Sequence, residues 1–169
     1  SYSTLLYAWI EQIERRLYCV AVGDTYIFLF RKKGNSYVPE FVYPNNDLSN
    51  IDSNPTLLNW SLAIKDGSLS YKEYDIQESD IIIACTDSIA RWLFMHIYLF
   101  HPTSKYFDEN PMSIELEKFK GNSSYNSLAK ILERIKEIDN KDAFIDFLKE
   151  EIDNDLLEPD DFTLFIYMV

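Results

Sequence analysis

The spacing of apolar residues in the first part of the chain predicts a series of β-strands. From residue 4 to residue 12 the apolar positions are almost continuous, a pattern that buried strands share with short helices, and we predict a strand. Residues 17–22 and 26–31 are rich in β-branched and aromatic side chains, which favour strands. Gly23 and Asp24 interrupt these two segments as a tight turn, so we expect a first hairpin here.

A second hairpin is predicted next, with its turn at residues 32–36 and its returning strand at residues 37–43. Residues 44–55 are dense in Asn, Asp and Ser and predict a loop, and residues 57–64 predict a short helical turn. Apolar and polar residues then alternate from residue 69 to residue 76, which is the period of a half-buried strand.

The uniformly apolar, β-branched segment at residues 81–85 predicts a strand that is covered on both faces. Thr86 or Asp87 can cap the helix that follows, and His101 with Pro102 predicts its end. One face of this helix carries the apolar residues Ile89, Trp92, Leu93 and Ile97.

Two amphipathic helices and a closing strand complete the pattern. The helices are predicted at residues 124–138 and 141–152, and the strand at residues 162–168. The apolar residues in helical phase are Leu128, Ile131, Leu132 and Ile135 in the first helix and Phe144, Phe147 and Leu148 in the second. Strands and helices in this order predict a mixed α/β (α+β) fold, in one domain over residues 1–169.

Composition and charge narrow the classes of function. The formal net charge is −12, from 28 acidic and 16 basic residues, which argues against nucleic acid because phosphate contacts require clustered Lys and Arg. Cys19 and Cys85 lie in separate apolar runs and predict buried, reduced thiols rather than a disulfide. Charged residues interrupt the most apolar window, residues 80–100, so we predict no membrane span and a cytoplasmic location.

Three aspartates, Asp24, Asp87 and Asp160, share one setting, the end of an apolar strand. Their surroundings are Val-Gly-Asp24-Thr, Cys-Thr-Asp87-Ser and Pro-Asp160-Asp161-Phe. Carboxylates that converge from several strand ends suit Mg²⁺ or Mn²⁺, which prefer oxygen ligands. The alternative is that each aspartate is a helix cap or a turn residue, the commonest role at such a junction. Spacing alone leaves both interpretations open.

These motifs resemble the type 2C (PPM) family of metal-dependent protein serine/threonine phosphatases. A strand led by Ser3 is followed by Val-Gly-Asp24-Thr, where the family has Val-Gly-Asp-Ser. The strand at residues 81–85, with Asp80 before it, ends in Thr-Asp87-Ser, where the family has Thr/Ser-Asp-Gly. The C-terminal Asp160-Asp-Phe-Thr resembles the family's Asp-Asn-x-Thr/Ser. Order and spacing match the C-terminal two-thirds of the family's domain.

The resemblance implies a fold and a chemistry. The fold would be a phosphatase-type sandwich of two mainly antiparallel β-sheets flanked by helices, with its N-terminal strands missing. The reaction would be hydrolysis of phosphoserine or phosphothreonine on proteins, with two Mg²⁺ or Mn²⁺ ions activating a water molecule. Asp87 and Asp160 would hold one ion of the pair, and Asp24 with Asp87 would contact a third ion.

The chain also departs from the family pattern. Ser88 stands where glycine is usual, which would be strained at a position that requires positive φ, and Asp161 stands where asparagine is usual. The family's early acidic ligand, its phosphate-binding arginine and its Asp-Gly-His-Gly segment have no counterpart, since the single Asp-Gly pair, at Asp66, precedes serine. We expect either a fragment whose missing strands lie in another segment or a second chain, or a relic that keeps the fold without full chemistry.

Two functions therefore remain open. One is a metal-dependent phosphatase that acts on phosphoproteins, with little turnover expected from this chain by itself. The other is a non-catalytic phosphatase-like module for binding or regulation, which keeps Asp87 and Asp160 for structural reasons. An unrelated acidic scaffold is a third alternative, and it predicts that two stacked sheets are absent. His96 and His101 are expected to have core and capping roles rather than to bind metal.

Overall fold

The computed structural model of the chain describes residues 2–44, 58–59, 70–101 and 113–169. The strands are β1 (Tyr2–Ser3), β2 (Leu5–Glu11), β3 (Arg16–Val22), β4 (Tyr26–Lys33), β5 (Ser36–Tyr43), β6 (Leu58–Asn59), β7 (Ser70–Asp75), β8 (Ile81–Cys85) and β9 (Leu164–Met168). The helices are α1 (Asp87–Phe100), α2 (Ser113–Asn122), α3 (Leu128–Lys136) and α4 (Lys141–Asp153).

Two antiparallel sheets form the centre of the molecule. The smaller one has three strands in the order β2-β3-β7, and the larger one has four in the order β5-β4-β8-β9. Strands β1 and β6 form a separate short antiparallel pair. The predicted α+β fold with two mainly antiparallel sheets is confirmed, so the observation that would have favoured the unrelated scaffold, a lack of two stacked sheets, is not made.

Strand β4 shows why the sheets stack. Side chains alternate between the two faces of a strand, so a strand that is apolar throughout is buried on both sides. Ile27 and Leu29 face the three-stranded sheet, where they meet Leu17 and Cys19 of β3. The alternate residues Tyr26, Phe28 and Phe30 face the helices. Strand β8 divides in the same way, which confirms the prediction that it is covered on both faces.

The helices cover the outer face of the four-stranded sheet. In α1 the predicted apolar stripe of Ile89, Trp92, Leu93 and Ile97 is buried, and so are the four in-phase residues of α3. Helix α4 buries Phe147, and the in-phase Phe144 and Leu148 pack against the same core. Ser127 and Asn140 accept hydrogen bonds from the backbone N–H groups of Lys130 and Ala143, which caps α3 and α4.

The structure corrects the expected first hairpin. Strands β3 and β4 follow each other in sequence but lie in different sheets, so the bend at Gly23 crosses from one sheet to the other. The hairpins are formed instead by β2 with β3 and by β4 with β5. Because β4 is apolar on both faces, its sequence does not show whether it joins the sheet of β3 or the sheet of β5 and β8.

Helix positions differ from the prediction in three places. Helix α2 was not predicted, since its short sequence has no clear apolar stripe. Helix α3 begins at Leu128 rather than at residue 124, because Ser127 is its cap. The expected helical turn at residues 57–64 is wrong at Leu58–Asn59, which form β6. The rest of that turn, most of the loop at residues 44–55, and Asp66 with Gly67 lie outside the described residues.

Membrane-spanning length is not reached by any helix among the residues that the structure describes. Cys19 and Cys85 are both free and buried, as predicted. Burial raises the pKa of the Cys19 thiol to about 12 and that of Cys85 further, so neither thiol is a reactive thiolate near neutral pH.

Candidate metal site at one end of the four-stranded sheet

Strand register brings the three aspartate-bearing segments to one end of the larger sheet. Cys85 at the end of β8 pairs with Tyr26 at the start of β4 and with Leu164 at the start of β9. The bend before β4, the first turn of α1 and residues 160–163 therefore meet at this end. The three segments that carry the aspartates thus share one end of the sheet.

Thr86 fastens two of these segments together. Its hydroxyl donates to the carbonyl oxygen of Asp161 at 3.0 Å and accepts from the backbone N–H of Thr163 at 3.1 Å. Its own backbone N–H donates to the carbonyl oxygen of Thr163 at 3.2 Å. Thr86 is the N-cap residue of α1 by position, but its side chain makes no capping hydrogen bond. Its hydroxyl binds the main chain of Asp161 and Thr163 instead.

Ser88 joins Asp87 and Asp160. Its backbone N–H donates to Oδ1 of Asp87 at 2.8 Å, and its hydroxyl donates to Oδ2 of Asp160 at 3.3 Å. The other oxygen of Asp160 accepts the backbone N–H of Asp161 at 2.8 Å. The two carboxylates are thus held beside each other, Asp87 half-buried and Asp160 exposed.

The two departures from the family pattern have a structural role here. Ser88 lies in the first turn of α1 and is not among the described residues with positive φ, so no glycine is needed at this position. Asp161 contributes its main chain to the contacts with Thr86 and Asp160, and its own side chain is exposed. The strain considered for Ser88 is therefore absent.

Asp24 lies at the same end of the sheet but is less closely tied to the others. It is half-buried in the bend between β3 and β4, next to a hydrogen bond of 3.2 Å between the hydroxyls of Thr4 and Thr25. The hydrogen bonds of Ser88 involve Asp87 and Asp160 rather than Asp24. The structure brings Asp87 and Asp160 together and leaves Asp24 as a neighbouring carboxylate.

The donor set suits a hard cation but is small. Mg²⁺ is commonly held by one or two carboxylates, with water and substrate phosphate completing its coordination, and Asp87 with Asp160 supplies two. Within the described ranges, no group of three or more His, Cys, Asp or Glu side chains is close enough to hold an ion. The pair would supply ligands for one ion at most, and a second ion would need ligands from elsewhere.

The histidines have the structural roles predicted for them. His96 is fully buried, with Nδ1 donating to the carbonyl oxygen of Trp92 at 2.9 Å and Nε2 placed 3.1 Å from the hydroxyl of Ser123. Burial lowers the pKa of His96 to about 3, so the ring is neutral in the folded protein. His101 ends α1, where its backbone N–H donates to the carbonyl oxygen of Ile97.

A buried carboxylate that the sequence prediction missed lies on α4. Glu151 is 2% exposed and accepts hydrogen bonds from the indole N–H of Trp92 at 2.8 Å and the hydroxyl of Tyr125 at 2.7 Å. Burial raises its pKa. A signal existed, because position 151 lies four residues after Phe147 on the apolar face of the helix.

A pocket of about 290 Å³ adjoins the carboxylate pair. It lies between α1, α2 and the turn after α4, and both Asp87 and Asp160 line it. Concave pockets with a few polar groups beside them are the usual form of ligand-binding sites in proteins.

Comparisons with known proteins find distant structural similarity to phosphatases. No protein-family profile matches the chain, and no curated protein matches it. Among solved structures, the Mn-presoaked phosphatase domain of the cell fate determinant SpoIIE from Bacillus subtilis is 15% identical with a TM-score of 0.44, over 99% of this chain and 56% of that chain. A second structure of that domain is 17% identical with a TM-score of 0.40, over 99% and 58%. The photosystem II phosphatase PBCP is 17% identical with a TM-score of 0.46, over 98% and 63%.

These solved structures belong to the class of protein that the sequence motifs resemble, the phosphatases. The chain spans between 56% and 63% of their length. At 15–17% identity and TM-scores below 0.5, these likenesses carry no argument about this chain, and no residue role is carried over from them. What the site can do is argued from its own geometry.

Proposed function

We propose that this chain is part of a type 2C phosphatase-like domain that hydrolyses phosphoserine or phosphothreonine on proteins with the help of Mg²⁺ or Mn²⁺. The observation that carries the proposal is the Asp87–Ser88–Asp160 contact, which joins two strand-end carboxylates in the order that the motifs predicted. Ser88 contacts Asp87 through its backbone N–H and Asp160 through its hydroxyl, and the Thr86 hydroxyl holds the main chain of Asp161 and Thr163 beside them. Such fixed placement is what a metal centre needs.

In this proposal Asp87 and Asp160 hold an ion, and Asp24 is a ligand of a further ion. The bound ions would lower the pKa of a water molecule and neutralise phosphoryl oxygens as charge shifts during hydrolysis. The chain's own residues orient the carboxylates, through Ser88 and through the ties from Thr86 to Asp161 and Thr163.

The remaining ligands would come from another segment or a second chain. The outer face of the three-stranded sheet supports this, because Leu5, Tyr7, Trp9 and Tyr71 are between 39% and 59% exposed on it. Among the strands that the structure describes, β2 is also an edge strand of its sheet, and edge strands present unpaired backbone groups. We further propose a cytoplasmic location, which two buried, free thiols support.

Isothermal titration with Mn²⁺ tests the metal ligands without requiring turnover. We expect weak binding by the unaltered chain and a loss of at least about tenfold in affinity for Asp87→Asn, because a carboxylate ligand is replaced by a neutral amide. Asp142→Asn is the matched control, since Asp142 is also an acidic residue in the first turn of a helix but lies on α4. Equal Mn²⁺ affinity in Asp87→Asn and the control would refute the assignment.

Hydrolysis provides the second readout. A protein that includes the missing segment is expected to hydrolyse a phosphothreonine peptide only with Mn²⁺ or Mg²⁺, and Asp87→Asn should remove most of that rate. Full metal-dependent activity in this variant would contradict the proposal.

The second candidate function is a non-catalytic phosphatase-like module for binding or regulation. One observation favours it: in the residues whose structure is described, no cluster of three metal-ligating side chains is found. The coding sequence before Ser1 distinguishes the two candidates, because an acidic residue, an arginine and Asp-Gly-His there would favour the enzyme. A correctly folded chain without measurable Mn²⁺ binding would favour the module.

A further inference from the structure

The pocket beside the carboxylate pair has an apolar floor. Its buried lining residues are Trp92, Met95, Phe119, Leu156 and Leu157. They come from α1, α2 and the turn after α4, so the floor is built by three separate elements. At about 290 Å³ the pocket is just below the usual range for ligand sites, roughly 300–1,000 Å³, and has room for one long side chain.

The rim of the pocket is charged and mainly acidic. Arg91 and Glu115 form an ion pair of 2.6 Å across α1 and α2. Lys118 forms an ion pair with Asp155 in the turn after α4. Each of the two cations in the lining therefore already faces a carboxylate, and an incoming anion would have to displace one of these carboxylates.

Carboxylates outnumber cations in the lining even when Asp87 and Asp160 are assigned to a metal ion. The remaining acidic residues are Glu115, Asp155 and Glu158, against the two cations Arg91 and Lys118. Within the part of the chain that the structure describes, Glu158 has no cationic partner. It is exposed at the mouth of the pocket, on the segment that leads to Asp160.

We propose that this pocket receives the side chain of an arginine or lysine close in sequence to the phosphorylated residue of the substrate. This inference rests on the proposed phosphatase function, because the position of the pocket beside Asp87 and Asp160 is what makes it a substrate subsite.

The chemistry of the two sides of the pocket explains this choice. The methylene groups of an arginine or lysine stem pack against apolar surface while the charged head stays near polar groups. Carboxylate oxygens have several acceptor positions, so Glu115 and Asp155 can accept a further N–H while keeping their present partners. Glu158 provides a charge-assisted acceptor for the incoming head. An acidic substrate side chain would meet this carboxylate excess and be repelled.

The test measures binding of phosphothreonine peptides to the chain in the presence of Mn²⁺ by fluorescence anisotropy. Arginine is placed in turn at each position near the phosphothreonine and compared with glutamine and with glutamate at the same position. We expect arginine at one or more positions to improve affinity about fivefold over glutamine, and glutamate to weaken it.

Two variants and a matched control locate the effect. Glu158→Gln and Glu115→Gln each remove a negative charge from the pocket, so most of the preference for arginine should be lost in both. Glu117→Gln makes the same charge change on α2 at a residue that does not line the pocket, and it should keep the preference. Equal loss in Glu117→Gln would show a general charge effect and overturn the inference.

Other outcomes also decide the question. Equal affinity for the arginine and glutamine peptides, a higher affinity for the glutamate peptide, or no binding of any peptide would each overturn the inference. Mn²⁺ titration reports separately on the carboxylate pair. A lost Mn²⁺ response with a retained arginine preference would refute the proposed function, whereas Mn²⁺ binding without an arginine preference would refute only the subsite.

Discussion

Glu151 and His96 connect the helices through hydrogen bonds rather than through apolar contact alone. Both interact with Trp92, whose indole N–H donates to Glu151 and whose carbonyl oxygen accepts from His96. Tyr125 and Ser123 supply the remaining partners, from the segment before α3. Since buried polar groups are costly when unpaired, this network fixes one packing of α1 against α4. No buried side-chain nitrogen or oxygen lacks a partner among the described residues.

The neutral state of His96 gives the stability of the protein a dependence on pH. Burial lowers its pKa to about 3, from 6.5 in an exposed histidine. Between these values the unfolded chain binds a proton that the folded chain does not, so the free energy of unfolding falls as the pH falls. Above pH 6.5 the histidine is neutral in both the folded and the unfolded chain, so its titration no longer lowers the free energy of unfolding.

Replacement of His96 should remove this dependence. We expect His96→Gln to be less stable than the unaltered protein near neutral pH, and the difference between them to narrow by about 2 kcal/mol at about pH 5. Urea unfolding at both pH values measures it. His101→Gln is the control, because His101 is only partly buried and should give a smaller change. A difference that stays constant with pH would contradict the prediction.

At the scale of elements, the bend between β3 and β4 decides how the two sheets are connected. Gly23 has a φ of 101°, and a Cβ atom there would lie 2.5 Å from Cγ2 of Thr4. Glycine is therefore required by both its backbone conformation and the close approach of Thr4. The same bend carries Asp24, so its geometry also positions a candidate ligand.

Gly34 offers a matched comparison for Gly23. It has a φ of 65° in the β4–β5 turn, but no atom lies within 4 Å of where a Cβ would be. Gly34→Ala should cost only the left-handed backbone term, about 1–2 kcal/mol. Gly23→Ala should cost about 1 kcal/mol more because of the clash with Thr4. Urea unfolding of both variants measures the difference, and equal losses would show that Thr4 moves aside freely.

At the scale of the whole molecule, the two sheets are covered unequally. Helices α1, α3 and α4 pack on the outer face of the four-stranded sheet. On the three-stranded sheet, the tilted rings of Tyr7 and Trp9 lie 5.4 Å apart, and Trp9 stacks on Tyr18 with 4.9 Å between the ring centroids. Register places these rings on the face opposite to Leu17 and Cys19. In the described residues no helix covers this aromatic face.

This exposure predicts a difference between the two faces of the smaller sheet. Tyr7→Lys should change the free energy of unfolding by no more than about 0.5 kcal/mol, because Tyr7 is 59% exposed. Leu17→Ala, on the inner face at 1% exposure, should cost about 2–5 kcal/mol. Urea unfolding of both variants measures the two losses of free energy. A large loss in Tyr7→Lys would mean that the outer face is already covered, and the proposed partner segment would lose its support.

Residue patterns alone determined the local structure. Alternation and apolar runs located β2 to β5 and β7 to β9, and helical phase located α1, α3 and α4, because side-chain period follows from backbone geometry. The strand-end settings of Asp24, Asp87 and Asp160 were also visible. Helix α2 and the buried Glu151 were not found, the first because it lacks a strong apolar stripe and the second because carboxylates are rarely buried.

Only the tertiary structure decided which strands pair and which side chains meet. Consecutive β3 and β4 lie in different sheets because Ile27 and Leu29 pack across the interior on Leu17 and Cys19, a contact that no local pattern specifies. The Asp87–Ser88–Asp160 contact likewise depends on β8 and β9 pairing across a long sequence separation. Such contacts form between residues that are far apart in the chain, and local sequence patterns do not specify them.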